Sequence, residues 1–429
     1  QNVLWVGTDN GGVSFADLEQ PRFSFYPFQN NTEKDIKEST IRALYQDKNK
    51  IIWIGTRNNG LAKTTSNGKV IQVFRNIPGN KNSLINNSIR KIIEDKYGFL
   101  WIGTKGGLDR FDSKTNTFEH FLYDFSVDER HNWIFSVYED REGNLWAGTW
   151  YGLALFDRKQ QKFINYFNRG NNALTQIRNI TEDAKGQMWI ATQGSGLSRV
   201  VKKRVNGKLQ LEVKQYENVP LSSNSLKDDW LYCLSFDNYG YLWIGSGSGL
   251  NRFDPRTEKF LEFNNHKFLN DRIIHGIVCD KGSVWISHQN GLTQIDCKSL
   301  STRDYTKKYD LYENEFSEDA FFKNEQTGEL FFGGNKGYIS FYPAQISHRS
   351  TPPQIIISGL RISDENVNVN QIIDERKILD KPLYLTKKIA LAWRQRNFQI
   401  EFAALYFPAP ENVRYAYRLT GLDNNWVYT

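Results

Sequence analysis

Leu100-Trp101-Ile102-Gly103-Thr104 is the clearest copy of a phrase that occurs eight times in this chain of 429 residues. Related phrases begin at residues 4, 52, 145, 188, 242, 284 and 330. The aromatic residues at their centres are separated by intervals of 42 to 54 residues. Self-similarity at a period of this size is typical of a repeat array.

The unit that spans residues 89–121 predicts four short strands. Its β-branched first segment ends at Asp95-Lys96-Tyr97-Gly98, a turn in which the Asp oxygen can accept backbone hydrogen bonds and Gly can adopt a positive φ. The quoted phrase is the second strand, residues 108–112 are the third and residues 117–121 are the fourth. Four antiparallel strands in each repeat are the content of one propeller blade.

Counting such units predicts an all-β chain with a seven-bladed β-propeller. Six complete units begin at residues 41, 89, 134, 177, 231 and 274, and a seventh begins near Glu315 but reaches Pro343 without a fourth strand. Residues 22–28, with alternating aromatics, supply that strand and close the ring, which extends over residues 18–346. Residues 1–17 carry only two strands, and we interpret them as a remnant of the last blade of a preceding propeller.

A second domain is expected after the ring. Residues 347–353 contain Thr351-Pro352-Pro353, a stiff, extended linker. Residues 354–429 predict an incomplete Ig-like β-sandwich that is truncated in this chain. Its predicted strands are Gln354 to Ile362, Lys388 to Trp393, Phe398 to Leu405 and Arg414 to Leu419.

Composition excludes several classes of protein. The net charge of +7 permits an acidic partner, but the basic residues are spread over all repeats, so nucleic-acid binding is not expected. Three cysteines cannot form a disulfide scaffold, and we interpret them as buried apolar residues. No segment approaches the ~20 apolar residues that cross a bilayer, so no membrane segment is expected here.

The blade phrases resemble the regulator-propeller (Reg_prop) repeat, and the final segment resembles the tyrosine-motif (Y_Y_Y) domain. The second resemblance is carried by Asn397-Phe398-Gln399-Ile400-Glu401-Phe402, Arg414-Tyr415-Ala416-Tyr417 and Gly421-Leu422-Asp423. This order is similar to the periplasmic sensor region of hybrid two-component systems of Bacteroides-type bacteria. The resemblance implies an inner-membrane protein, a homodimer in full length, in which another propeller precedes this one and a histidine kinase follows.

No catalytic, metal or cofactor motif is found, and the six histidines are dispersed. The repeated Trp predicts blade packing rather than a sugar platform, and the Asp at each hairpin corner predicts a turn cap rather than a catalytic carboxylate. Asp228 and Asp229 are adjacent and should point apart, which disfavours a glycosidase pair. No enzyme activity is expected of this fragment, although the full-length protein would be a histidine kinase.

Ligand contacts are expected in the loops before the first strand and after the second, which emerge on one face of the ring. Aromatic residues that do not repeat occur there, and basic residues surround them. These observations predict an oligosaccharide ligand, with a preference for an acidic one. A protein-interaction scaffold is the alternative, followed by a glycan-degrading enzyme. The candidate contacts are Trp133, Trp150, Tyr151, Trp230, Arg57, Lys105, Arg130, His131, Lys227, Arg272 and His288.

Overall fold

The computed structural model describes most of the chain as short β-strands, with no α-helix in the described part. The described residues are 3–9, 11–17, 23–27, 39–123, 129–166, 174–261, 269–306, 311, 315–346, 354–405, 413, 415–423 and 425–428. They fall into two compact units, residues 21–346 and residues 1–20 with 347–429. The first unit contains seven four-stranded antiparallel sheets within the described ranges, which confirms the predicted fold class.

The strands before the first complete blade are β1 (Val3–Thr8), β2 (Gly12–Asp17) and β3 (Ser24–Pro27). Blade 1 consists of β4 (Ile41–Gln46), β5 (Ile52–Thr56), β6 (Leu61–Thr64) and β7 (Val70–Phe74). Blade 2 consists of β8 (Ile89–Glu94), β9 (Leu100–Thr104), β10 (Gly107–Asp112) and β11 (Thr117–Phe121). Blade 3 consists of β12 (Ile134–Glu139), β13 (Leu145–Thr149), β14 (Leu153–Asp157) and β15 (Lys162–Asn165), preceded by a 3-10 turn (Glu129–Asn132).

Blade 4 consists of β16 (Ile177–Glu182), β17 (Met188–Thr192), β18 (Leu197–Val205) and β19 (Lys208–Tyr216). Blade 5 consists of β20 (Leu231–Phe236), β21 (Leu242–Ser246), β22 (Gly249–Asp254) and β23 (Lys259–Leu261). Blade 6 consists of β24 (Ile274–Asp280), β25 (Ser283–His288), β26 (Gly291–Asp296) and β27 (Thr302–Tyr305). Blade 7 consists of β28 (Phe316–Lys323), β29 (Leu330–Gly334), β30 (Gly337–Phe341) and β3, followed by a 3-10 turn (Pro343–Gln345).

Strand β3 joins the two ends of the ring, because it pairs antiparallel with β30 and places Ser24 opposite Ser340. The first strand of each blade contacts the first strand of the next, and β28 contacts β4, so the blades form a closed circle. Tyr26 of β3 stacks on Tyr338 with ring centroids 4.8 Å apart. Closure therefore depends on a strand that is far from its partner in sequence.

The repeated Trp packs between blades, as the sequence predicts. Trp101 is fully buried, and its ring lies 5.0 Å from Phe156 of the following blade. Its indole nitrogen donates to Asp95 Oδ2 at 2.7 Å, while Asp95 Oδ1 accepts the turn amides of Tyr97 and Phe99. One carboxylate thus caps the hairpin and satisfies the buried indole. The same pair occurs at Asp47 and Trp53, Asp140 and Trp146, Asp183 and Trp189, and Asp237 and Trp243.

The glycine of the phrase is required by the next blade. A Cβ built on Gly148 would lie 2.5 Å from Cγ2 of Ile177, the first residue of the following first strand. Gly55 faces Ile89 in the same way, and Gly245 faces Ile274. In these blades the glycine therefore permits a close approach between sheets, because a larger side chain would push the neighbouring blades apart, and the equivalent residues of blades 4 and 6 are the small Ala191 and Ser287.

Replacement of Gly148 with Val is expected to lower the free energy of unfolding by about 1–3 kcal/mol or more, because the added atoms overlap Ile177. The measurement is urea unfolding followed by circular dichroism.

The matched control is Gly7→Val, because Gly7 holds the same position in its phrase but has open space around its Cβ. Its unfolding midpoint should equal that of the parent. An equal loss of stability in both variants would contradict the packing explanation.

Beyond the ring, residues 354–428 contain β31 (Ile355–Ile362), β32 (Glu365–Asn366), β33 (Ile372–Ile373), β34 (Arg376–Lys377), β35 (Phe398–Ala404), β36 (Ala416–Tyr417) and β37 (Val427–Tyr428). They form a three-stranded sheet in the order β32, β31, β35 and two short hairpins, β33 with β34 and β36 with β37, while β1 and β2 of the same unit form a separate hairpin. Two 3-10 turns (Leu383–Leu385 and Trp393–Gln395) lie between β34 and β35. The predicted linker, residues 347–353, lies outside the described residues.

The prediction of a strand from Lys388 to Trp393 is wrong. Ile389 and Leu391 pack on the small core around Leu360, which explains their alternating pattern without sheet pairing. Gln395 then ends the segment in a 3-10 turn, in which its side-chain oxygen accepts from the Ala392 amide at 2.9 Å. The alternation of apolar residues in this segment therefore reflects burial of alternate side chains and not hydrogen-bonded pairing in a β-sheet.

Candidate functional site

One face of the ring, called the mouth here, is formed where the second strand of each blade ends beside the start of the first. The amide of Lys105 donates to the Ser88 carbonyl at 3.1 Å, and the amide of Trp150 donates to the Trp133 carbonyl at 3.1 Å. Equivalent bonds join Arg57 to Thr40, Gln193 to Gln176, and Gly247 to Trp230. The two loops predicted to share a face therefore do so.

Aromatic and basic side chains meet on the blade 2 and blade 3 side of the mouth. The Trp133 and Trp150 rings are perpendicular with centroids 5.0 Å apart. Lys105 Nζ lies 4.4 Å from the centroid of Trp133, and the guanidinium carbon of Arg130 lies 5.9 Å from that of Trp150. Both Trp side chains are partly exposed. These residues, with Arg57, are called the mouth cluster.

A second group of predicted residues lies on blades 5 and 6. Trp230 is 52% exposed beside Gly247, and a cleft of about 450 Å³ is lined by Gly247, Asp271 and Arg272. Arg272 donates to Asn290 Oδ1 at 3.3 Å, and Lys227 Nζ donates to Asn270 Oδ1 at 2.8 Å. These contacts orient the side chains along the cleft.

Three predicted contacts are less accessible. His131 and Tyr151 pack against each other with ring centroids 4.3 Å apart, and Tyr151 is buried. The prediction that His288 is displayed on the open face is wrong, because its side chain is fully buried. Its Nε2 lies 3.0 Å from Thr293 Oγ1, and its Nδ1 accepts from the Asn290 amide. Its position at the end of β25 places it inside the blade.

The sequence reasoning missed the residues at the centre of the ring. In six blades of the described chain, the second residue of the first strand is a bulge, since the pairing with the second strand skips it. A bulge re-aims the side chain of the extra residue. The bulge residues are Arg42, Arg90, Phe135, Arg178, Tyr232 and His275, and blade 7 has a longer irregularity between Phe316 and Phe321.

Contacts across the ring show that these residues surround its axis. Arg178 of blade 4 donates to Glu318 and Asp319 of blade 7, at 2.9 Å each. Arg42 of blade 1 donates to the same Glu318 oxygen at 2.8 Å. Blades 4 and 7 are not neighbours, so their side chains can meet only across the centre. Although burial opposes it, Arg178 and Arg42 lower the pKa of Glu318 to about 2.

Arg90 differs from the other two axial arginines. Its side chain is 9% exposed, and no residue in the described part of the chain forms an ion pair or side-chain hydrogen bond with it. The guanidinium lies 5.4 Å from the ring centroid of Phe135. Burial, together with the positive charges of Arg178 and Arg42, lowers the pKa of Arg90 to about 10. A buried charge without a counter-ion is unfavourable.

The residues at the axis and the mouth cluster interact electrostatically and are linked by aromatic contacts. Burial and the charges of Arg90, Arg57 and Arg42 lower the pKa of Lys105. The Phe135 ring lies 5.8 Å from Trp150, so the aromatic wall continues from the mouth toward the axis. Cationic and aromatic groups in this arrangement can bind an anion and a flat apolar surface together.

Catalytic and metal chemistry have little basis in these residues. Asp228 accepts from the Trp230 amide and from Ser248 Oγ, whereas Asp229 accepts from the Asn218 amide, so the adjacent carboxylates point to different partners. Within the described ranges, no group of three His, Cys, Asp or Glu side chains has a metal-binding arrangement. None of the helical turns described is long and apolar enough to cross a membrane.

Comparison with known proteins agrees with this architecture. Residues 35–58, 83–106 and 128–151 match the family described as the two component regulator propeller. A stretch of 256 residues, 59% of the chain, is 27% identical to Histidine kinase P4 of Formosa agariphila and covers 18% of that protein. The chain therefore spans about a fifth of this curated relative.

Solved structures share the fold. The extracellular domain of the hybrid two component system BT3049 from B. thetaiotaomicron is 21% identical with a TM-score of 0.71, and the match covers 100% of this chain and 55% of that one. The extracellular domain of BT4673 from the same species is 24% identical with a TM-score of 0.61, over 99% and 56%. Virginiamycin B lyase from Staphylococcus aureus is 13% identical with a TM-score of 0.54, over 74% and 98%. Three segments of the chain thus match the two component regulator propeller family, and the chain shares its fold with these extracellular domains.

Proposed function

We propose that this chain is part of the periplasmic sensor region of an inner-membrane hybrid two-component protein and that it binds an oligosaccharide at the mouth of the ring. Binding changes the arrangement of the sensor domains, and a histidine kinase elsewhere in the full-length homodimer receives that change. The coupling requires the ligand to prefer one arrangement over another. Residues 354–429 act as the Y_Y_Y domain in this scheme, without a cofactor.

The mouth cluster is the observation that carries the proposal. Trp133 and Trp150 are partly exposed at the mouth and lie outside the repeated, buried Trp position of the phrase. The buried Trp of six of the eight phrases already packs one blade on the next. Exposed aromatic rings beside Lys105 and Arg130 are suited to a sugar ring that bears an acidic group.

Isothermal titration calorimetry against a panel of neutral and acidic oligosaccharides tests the proposal. A bound glycan should lose affinity by about 2 kcal/mol, roughly thirtyfold in Kd, when Trp133 is replaced by Ala. Trp230→Ala is the control, because Trp230 lies on the mouth outside this cluster. Equal losses in both variants would contradict the assignment to the mouth cluster.

Salt separates acidic from neutral ligands. Binding to Arg57, Lys105, Arg130 and Arg272 should weaken as ionic strength rises, because exposed charges are screened over ~8–10 Å. If affinity is independent of salt while Trp133→Ala abolishes binding, the site is a neutral-sugar platform. If no glycan binds and a protein is recovered instead, the chain is an interaction scaffold. Steady turnover of a glycan would identify an enzyme.

A further inference from the structure

The centre of the ring contains more positive than negative charge. Arg42 and Arg178 share Glu318, and Arg178 also holds Asp319, so two of the three axial arginines are paired. Arg90 occupies the equivalent bulge of its blade with no such partner among the described residues. The fold therefore holds one buried guanidinium that forms no direct ion pair in the described structure, although Asp319 and Glu318 act on it at longer range.

Buried polar atoms around the axis also lack partners. The Nε atoms of Arg42, Arg90 and Arg178 are shielded from solvent and have no hydrogen-bond acceptor in the described structure. His275 Nδ1 and Ser317 Oγ are likewise buried and have no hydrogen-bond partner in the described structure. Buried polar groups are normally hydrogen-bonded, and each unsatisfied one costs about 1–3 kcal/mol. At the axis these groups can be completed by water or by a polar guest.

The chemistry of the guest follows from the charge. Water can satisfy hydrogen bonds but cannot neutralise Arg90, whereas an oxyanion does both. Lys105 adds positive charge to the same region from the mouth side, and burial together with the charges of Arg90, Arg57 and Arg42 lowers its pKa. A cationic cleft with apolar walls concentrates anions.

The aromatic surface beside Arg90 suits an oxyanion that is attached to a larger ring. The Phe135 ring lies 5.4 Å from the Arg90 guanidinium and 5.2 Å from that of Arg178. On its other side Phe135 contacts Trp150 and Trp133, at centroid distances of 5.8 and 6.3 Å. The aromatic side chains therefore form a continuous wall from the unpaired charge to the exposed mouth.

We propose that the axis of the ring is an anion subsite in which Arg90 binds one carboxylate or sulfate group of a ligand whose ring packs on the Trp133 and Trp150 wall. The ligand class rests on the proposed function, but the anion subsite does not. Glu318 and Asp319 hold Arg178 in place, and Arg90 is left to bind the incoming group.

Calorimetry with sodium sulfate tests the subsite directly. Total ionic strength is held constant with sodium chloride, so that screening does not change during the titration. The parent chain should bind sulfate, and Arg90→Gln should weaken that binding at least tenfold. Arg90→Lys keeps the charge but loses the planar pair of donors, and its affinity should lie between the two.

The control is Arg204→Gln, which removes the same charge from a side chain that is 65% exposed at the end of β18, the third strand of blade 4. Sulfate affinity should be unchanged in this variant. Equal affinity in the parent and Arg90→Gln, or an equal loss in Arg204→Gln, would overturn the proposal. Thermal melting without sulfate verifies that Arg90→Gln is folded.

A comparison of D-glucuronate with D-glucose separates this inference from the proposed function. The two sugars differ in one carboxylate, and only glucuronate should lose affinity in Arg90→Gln. If an oligosaccharide binds through Trp133 with no effect of Arg90→Gln, the subsite is wrong and the sensor function stands. If sulfate binds through Arg90 but no oligosaccharide binds, the subsite stands and the function is wrong.

Discussion

Removal of residues 1–30 is expected to lower the free energy of unfolding of the ring by at least about 5 kcal/mol, because loss of one buried Phe side chain alone costs about 3–5 kcal/mol. Phe23 is buried against Tyr305 and Phe341, at centroid distances of 5.2 and 4.9 Å. Loss of strand β3 also exposes Tyr338 and the open edge of β30. Whole domains are stable by only about 5–15 kcal/mol, so blade 7 should open at ordinary temperature.

Scanning calorimetry of two truncations measures this effect. The control lacks only residues 1–17, which hold β1 and β2 but not the closing strand. It should retain the melting transition of the ring, whereas the longer truncation should melt lower by roughly 10 °C or more. If the two truncations melt together, β3 does not close the ring in solution, and a different arrangement of the repeats must be sought.

Much of the fold could be predicted because the blade phrase has local causes. Three features of the phrase act locally and recur at a regular interval: the turn at Asp95 to Gly98, the buried Trp101, and Gly103, which leaves little space for a side chain. The indole bond to Asp95 could not be inferred from turn propensity, because it joins residues six positions apart across the hairpin. A repeat therefore predicts strands and order well, and side-chain partners less well.

The mouth could be located from the sequence because its residues flank the strands. Trp133 and Trp150 are recognisable as departures from the repeat, and the backbone bond between them confirms that they share a face. His288 was misplaced because one residue of register decides whether a strand-end side chain points into the blade or out of it.

The axis was missed because the prediction assumed regular alternation along the first strand. The bulge breaks that alternation at residue 42 and at each equivalent position. The signal was nevertheless present, since a large polar or aromatic residue follows the first aliphatic residue in six blades: Arg42, Arg90, Phe135, Arg178, Tyr232 and His275. These side chains come together only because the ring closes and brings blade 4 opposite blade 7. No local sequence pattern predicts a contact between residues so far apart in the chain.

Replacement of Arg178 with Met is expected to lower the free energy of unfolding by about 3–5 kcal/mol at pH 7, because it leaves two carboxylates without their shared cation. The Arg178 side chain is 5% exposed, and Asp319 has no other ion pair in the described residues. Glu318 would retain Arg42 alone. Urea unfolding at a series of pH values measures the difference.

The pH dependence has a definite sign. The pKa of Glu318 is lowered to about 2 from its ordinary value of 4.5, so its contribution to stability is complete above about pH 5 and is lost as the pH falls from about 4.5 to about 2. Burial raises the pKa of Asp319, so acid also relieves its charge in the variant. The deficit of Arg178→Met should therefore be largest near neutral pH and shrink below pH 4.5. A deficit that is constant from pH 7 to pH 3 would show that lost packing, rather than charge, causes it.

Arg90→Met is the matched comparison, because it removes the same group from the equivalent bulge of another blade. Arg90 forms no direct ion pair among the described residues, and burial together with the charges of Arg178 and Arg42 lowers its pKa despite the opposing effect of Asp319 and Glu318. Removal of this charge is therefore expected to leave stability unchanged or raise it by about 1–3 kcal/mol in a buffer without oxyanions. If Arg178→Met lowers the free energy of unfolding and Arg90→Met raises it, then Arg178 stabilises the ring and Arg90 destabilises it. Equal destabilisation by both would show that Arg90 is a structural residue, and the unpaired charge at the axis would then need another explanation.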